Sequence, residues 1–137
     1  MHKGILIAAA AALGCAFVAP AQAESARNIV SLYHCAPGQQ VAFLHWLDSQ
    51  NRVAAAAGIA PGQLYVHTDG DSWDYMVIYP QTTPAQDDAI AAAGKKLGIE
   101  AGPHSSLDLR KVIASHTDTL VRGPMSPSDY LAFVGEK

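Results

Sequence analysis

Cysteine is nearly missing. Only Cys15 and Cys35 occur in 137 residues, and they form none of the paired-cysteine patterns that a structural zinc site requires. Positive charge is also short: nine Lys and Arg stand against twelve Asp and Glu, for a net charge of -3. The basic surplus that a phosphate backbone demands of its protein is therefore absent, and nucleic acid is not an expected partner. Charged residues of all kinds make up 15% of the chain and hydrophobic ones 50%, far too apolar a mix for a disordered segment and well suited to a single globular domain. No internal repeat or low-complexity linker interrupts the sequence, and its alanine-rich stretches simply favour helix.

The first 23 residues have the layout of a secretory signal peptide. A short start with Lys3 leads into an apolar run from Ile5 to Val18, and Ala21, Gln22 and Ala23 form a small-x-small cleavage site. The run is shorter than the ~20 residues of a membrane span, so no transmembrane segment is expected in the mature chain. Leu13, Gly14 and Cys15 loosely resemble a lipobox, but the leucine is displaced by one place and Phe17 and Val18 continue the run. Soluble export to the periplasm or beyond the cell is the expectation, with the mature domain at 24–137. That domain has eight basic and twelve acidic side chains, a net charge of -4, and Cys35 as its one cysteine. Without an intrachain disulfide it must stand on its core or on an oligomer interface.

Asn28 to Cys35 is rich in β-branched and aromatic residues and is closed by Pro37 and Gly38, which predicts a first strand. From Gln39 to Ala57 the apolar residues Val41, Phe43, Leu44, Leu47, Val53 and Ala54 recur at helical spacing, and Gly58 and Pro61 end the pattern. Gln63 to Thr68 and Trp73 to Tyr79 flank Asp69 and Gly70, a strong hairpin signal. Thr83, Pro84 and Gln86 are placed as an N-cap, a first helical position and a capping-box partner, with Gly98 as the stop. A short helix over Ser106 to Ser115, a strand over Thr117 to Arg122 and a terminal helix after Ser126 complete the order. Strand, helix, strand, strand, helix, strand is an α+β arrangement of the ferredoxin-like split βαβ type, with an antiparallel sheet and the helices on one face.

The stretch from Tyr33 to Gln39, in which a strand runs into Pro-Gly and a helix, and the third strand from Trp73 to Pro80 resemble the dimeric α+β barrel superfamily over most of the mature chain. Its members include antibiotic-biosynthesis monooxygenases, stress-responsive A/B barrel proteins and YciI-like proteins. The resemblance implies a homodimer of two sheets packed face to face, with the helices outside and a pocket between each sheet and its partner. It implies no reaction, because the superfamily hosts many activities. A haem-degrading relative would call for an Asn, Trp and His set. Asn28 and Trp73 exist here, but the second helix has no histidine, so that role does not carry over and no cofactor is expected.

Alternation along the strands groups Val30, Leu32, Leu64, Val66, Met76 and Ile78 as aliphatic. We expect these beneath the helices, leaving Tyr33, Tyr65, His67, Trp73, Tyr75 and Tyr79 opposite, as a ligand site or a dimer interface. Plain cross-strand packing explains the same aromatics. His67 is the ionisable member, a candidate acid or base, with Tyr33 or Tyr75 as a candidate oxyanion donor. Ser115 to Thr119 reads most simply as a polar junction between a helix and a strand. Its functional reading is a His116 and Asp118 pair on one side of an extended segment, as a metal-binding or base-orienting pair would lie. The five histidines of the mature chain have no recognised ligand spacing, so no metal centre is expected. Two functions stay open: an exported homodimer that binds a small apolar or aromatic ligand or acts through protein contacts, and a cofactor-independent oxygenase or isomerase of an aromatic molecule.

Overall fold

The computed structural model describes residues 27–136, so the proposed signal peptide lies outside the described residues. Among these, alternating β-branched and aromatic residues form β1 (Arg27–Cys35), and a turn through Pro37 and Gly38 leads into α1 (Gln40–Ala56). Gly38 takes a positive φ of 76°, which only glycine adopts without strain. The hairpin strands β2 (Gln63–Val66) and β3 (Tyr75–Pro80) follow, then α2 (Pro84–Leu97), α3 (Pro103–Val112), β4 (Ile113–Arg122) and α4 (Pro127–Val134). The expected capping box is present at Thr83 and Gln86, and Gly98 closes α2 in the left-handed conformation. A second box joins Ser126 and Asp129 at the start of α4.

The sheet order is β2-β3-β1-β4 and every pairing is antiparallel. With α1 crossing from β1 to β2, and α2 and α3 crossing from β3 to β4, this is the ferredoxin-like arrangement. The register sorts the faces. Tyr33 is opposite Tyr75 and His116, Ser31 opposite Val77 and Asp118, and Ile29 opposite Tyr79 and Leu120. Leu64 and Val66 are opposite Val77 and Tyr75, on the same face. The other face holds Val30 beside Ile78 and Thr119, and Leu32 beside Met76 and Thr117.

The structure reverses the expected packing. α1 lies on the aromatic face, with Phe43 fully buried and its ring 4.8 Å from Tyr33 and 5.2 Å from Tyr75. Tyr33, Cys35, Leu47, Tyr75, Val77, Leu109 and Ile113 complete the core around it. Aromatics fit under the helix because Ser31 and Cys35, small residues of the same face, alternate with Tyr33, and because the Tyr33 and Tyr79 hydroxyls hydrogen-bond each other at 3.1 Å. A buried phenol that finds a partner loses little by leaving water. Leu64 and Val66 share this face but sit on the edge strand, exposed. The aliphatic residues Val30, Leu32, Met76 and Ile78 instead line the open side, where a hollow of about 540 Å³ is bordered by Val30, Tyr65, Ile78, Pro80 and Val121.

Two smaller departures bear on the site. Val41 is 66% exposed, so the core stripe of α1 is Phe43, Leu47 and Val53. β4 begins at Ile113, four residues early, because β1 pairs along its whole length and draws Ser115 and His116 into the ladder. Residues 115–119 are thus mid-strand rather than a junction.

Candidate functional site

Strand alternation puts Ser31 and Tyr33 on the helix side of β1, and the register sets Asp118 and His116 of β4 directly across from them. The side chains join. The Ser31 hydroxyl donates to Asp118 Oδ1 at 2.6 Å, and the other Asp118 oxygen lies 3.4 Å from His116 Nε2. The His116 imidazole stacks on the Tyr33 ring with centroids 5.7 Å apart and planes 19° from parallel. Tyr33 reaches on to Tyr79 through the paired hydroxyls. Five polar side chains from three strands therefore form one group, with Tyr33 buried at one end and His116 and Asp118 open to solvent at the other.

This group is placed by features that are legible one by one. Asp74 accepts a 2.6 Å hydrogen bond from the Cys35 backbone N–H, and its own N–H donates to the Tyr33 carbonyl at 2.8 Å, which ties the end of β1 to the start of β3. On the far side of Tyr79, Asn51 of α1 clasps Gly62 through two hydrogen bonds of 2.9 and 3.3 Å. A small hollow of about 160 Å³ lies there, bordered by Asn51, Ile59, Gly62, Tyr79 and Ile90. Trp46 donates from Nε1 to the Ser105 carbonyl at 3.2 Å, anchoring α1 to α3 and so to the base of β4.

The electrostatics follow position. Burial pushes the Tyr33 phenol above its ordinary pKa, while hydrogen bonds to the Tyr79 and Ser31 hydroxyls pull it back. Tyr79 is driven up further, by burial first and then by Tyr33. Both phenols are neutral donors throughout the physiological range. His116 stands at the solvent end of the group, with the Asp118 carboxylate 3.4 Å from its Nε2.

The sequence candidates fall into separate places. Tyr33, Tyr79, His116 and Asp118 come together. Tyr75 is in the core against Phe43, Tyr65 stands on the open face with its hydroxyl 3.4 Å from Gln63, and His67 follows β2 with its ring 4.8 Å from Trp73. The six aromatic-face candidates thus do not share one face. His67 Nε2 is enclosed and, among the described residues, has no hydrogen-bond partner. Asn28 donates to the Gly123 carbonyl at 2.7 Å. Ser31 was missed, although a lone polar residue at the parity of Tyr33 was a readable signal. Among the described residues no group of three or more His, Cys, Asp or Glu gathers as a metal site would, leaving His116 and Asp118 as a pair.

No family model matches the chain, and no curated protein does. Among solved structures it is similar to a nipsnap family protein of unknown function from Agrobacterium tumefaciens, at 14% identity and a TM-score of 0.47, covering 76% of this chain and 94% of that one. It is also similar to a dimeric protein of unknown function and ferredoxin-like fold from Bacteroides fragilis, at 10% identity and a TM-score of 0.44, covering 71% and 95%. A candidate antibiotic biosynthesis monooxygenase from Chloroflexus aurantiacus is similar at 18% identity and a TM-score of 0.42, covering 74% and 98%. The strand order β2-β3-β1-β4, with every pairing antiparallel, makes the chain a ferredoxin-like α+β protein.

Proposed function

We propose that the protein is an exported homodimer that binds a small, partly apolar or aromatic ligand over β1 and β4, on the helix side of the sheet. The observation that carries this reading is the joined group of Ser31, Tyr33, Tyr79, His116 and Asp118, which offers hydroxyl and imidazole partners at the edge of an apolar floor. A ligand carbonyl or hydroxyl finds donors and acceptors there, while its body rests on Ile29 and Leu120, the next pair along the ladder. The open aliphatic face supports the dimer, because an uncovered apolar sheet surface is one that a second copy covers well. Among the described residues no helix is long and apolar enough to cross a membrane.

Native mass spectrometry of protein purified from its own cells tests the whole reading at once. The expected result is a dimer of chains beginning at Glu24 with a retained small molecule, which His116→Ala loses while staying folded. Chains that keep residues 1–23, or a ligand retained equally by the variant, would count against export and against the site respectively.

A second reading, a cofactor-independent oxygenase or isomerase of an aromatic molecule, is favoured by one geometric fact. The Asp118 carboxylate lies 3.4 Å from His116 Nε2, the neighbour that a general base uses, with the neutral Tyr33 phenol beside it as a candidate hydrogen-bond donor to an oxyanion. Turnover of the retained molecule that disappears in both His116→Ala and Asp118→Asn would select it; retention without turnover selects binding.

A further inference from the structure

The ladder between β1 and β4 ends in two like charges. Arg27 and Arg122 are direct cross-strand partners, and they lie at the parity of Ser31, Tyr33, Asp118 and His116, so both belong to the helix-side face. Like charges directly opposite each other on a sheet destabilise it, and a counter-charge between them relieves that cost. Among the described residues the ion pairs are Lys111 with Asp108 and His116 with Asp118; neither arginine has one. The chain from residue 24 onward has four more acidic than basic side chains, so the missing counter-charge does not reflect a shortage of acids.

Three further features show what the pair faces. The Arg122 guanidinium carbon sits 4.5 Å from the centre of the Phe133 ring, held against α4. The next pair on the same face is Ile29 with Leu120, and Leu120 is 56% exposed. The pair after that on this face begins the polar group, with Asp118 across from Ser31. Read from one end, the surface runs cation, apolar floor, then hydroxyls and imidazole. From Arg122 to Asp118 is four residues, roughly 13 Å of strand.

We propose that Arg27 and Arg122 bind the carboxylate of a free, medium-length organic acid whose apolar body lies along Ile29 and Leu120 toward the polar group. This rests on the proposed ligand site and names its ligand class. The planar forks of two guanidinium groups suit a carboxylate, and the acid supplies the charge that the pair lacks. A polar group at the far end limits the length, which favours a discrete small acid over an anionic membrane, as does the chain's own negative charge.

The test is calorimetric titration of the intact purified protein, stripped of retained molecules, with octanoate and with 1-octanol as its uncharged counterpart. The expected result is that octanoate binds more tightly than octanol. Arg27→Gln and Arg122→Gln should each weaken octanoate roughly tenfold, the scale of one charge-assisted contact, and leave octanol unchanged. Because its substitution relieves the like-charge pair, ligand-free Arg27→Gln should also melt no lower than the wild type, which guards against misfolding as the cause; Arg122→Gln, which gives up its contact with Phe133 as well, should keep the wild-type circular dichroism spectrum. Octanoate affinity that ignores both arginines but falls in His116→Ala overturns the arginine assignment and leaves the ligand site standing. Equal affinity for acid and alcohol overturns it too. Binding of neither compound overturns the site as well, and binding to anionic phosphatidylglycerol vesicles without binding octanoate overturns the free acid in favour of a lipid surface.

Discussion

Two hydroxyls hydrogen-bonded to each other under a helix are the residue-scale hinge of this protein. Tyr33→Phe or Tyr79→Phe leaves the remaining phenol without its partner in a buried place, so each should cost about 1–2 kcal/mol. The double variant should cost less than the two together, since the second change removes the orphan that the first created. Urea unfolding of all three settles it, and strictly additive losses would mean that the hydroxyls do not act as a pair. The same phenols explain why the candidate site was only partly legible in sequence. Alternation gave Tyr33 and Tyr79 one parity, and the spacing of His116 and Asp118 gave theirs, but which parity faces the helices depends on whether polar tips find partners inside. That information lies in the cross-strand register, 46 residues away for Tyr33 and Tyr79 and 87 for Ser31 and Asp118. Cys35 supplies a pH test. Burial, helped by the Asp74 carboxylate, raises its thiol from 9.0 to about 11 in the folded chain. From pH 9 to 11 the unfolded chain therefore gives up this proton while the folded chain keeps it, and stability falls as pH rises through that window. Melting temperature followed from pH 8 to 11 should drop with pH, and Cys35→Ala should flatten the first part of the drop, before the tyrosines join. Identical slopes for the two proteins from pH 9 to 10 would show the thiol to be irrelevant.

At the scale of elements, positions that end or turn the chain were the most readable. Thr83, Pro84, Gln86 and Gly98 bound α2 as their chemistry requires, and Ser126 and Asp129 do the same for α4. Such signals act over three or four residues, so they need no knowledge of the fold. The start of β4 was not readable, because Ile113 to His116 become strand through pairing with β1 rather than through local preference. Gly62 shows a different kind of hidden constraint. It follows Pro61 in the turn after α1, yet a Cβ built there would lie 2.6 Å from Tyr79 Cε1 and 2.9 Å from Val77 Cγ1. Neither atom ends a flexible side chain, so Gly62→Ala must move the hairpin or the Tyr79 ring. We expect a loss of about 1–3 kcal/mol, the usual cost of overpacking, together with a weakened hold on any ligand that depends on the Tyr33 and Tyr79 pair. A variant as stable as wild type would mean that β2 shifts freely against α1.

For the molecule as a whole, the open aliphatic face is the surface that a second copy covers in the proposed dimer. Ile78 sits near the middle of that face, opposite Val30 and Gln63. Ile78→Asp should leave the monomer fold intact, because the core lies on the other side of the sheet, and should convert a micromolar dimer to monomers in sedimentation. A variant that stays dimeric would move the interface elsewhere, with α4 and its exposed Tyr130, Leu131 and Phe133 the next surface to probe. The strand order also sets a clock. Among the described residues β1 is the earliest strand to be made, yet it lies inside the sheet, and its longest partner, β4, is the last strand. Ser31 waits 87 residues for Asp118, roughly 4–17 s at ordinary rates of synthesis. Until then the nascent chain carries the middle of its sheet with a bare edge, and the candidate site does not exist in any form. Its two halves are made 87 residues apart, so the site is complete only once Asp118 has been translated and has paired with β1.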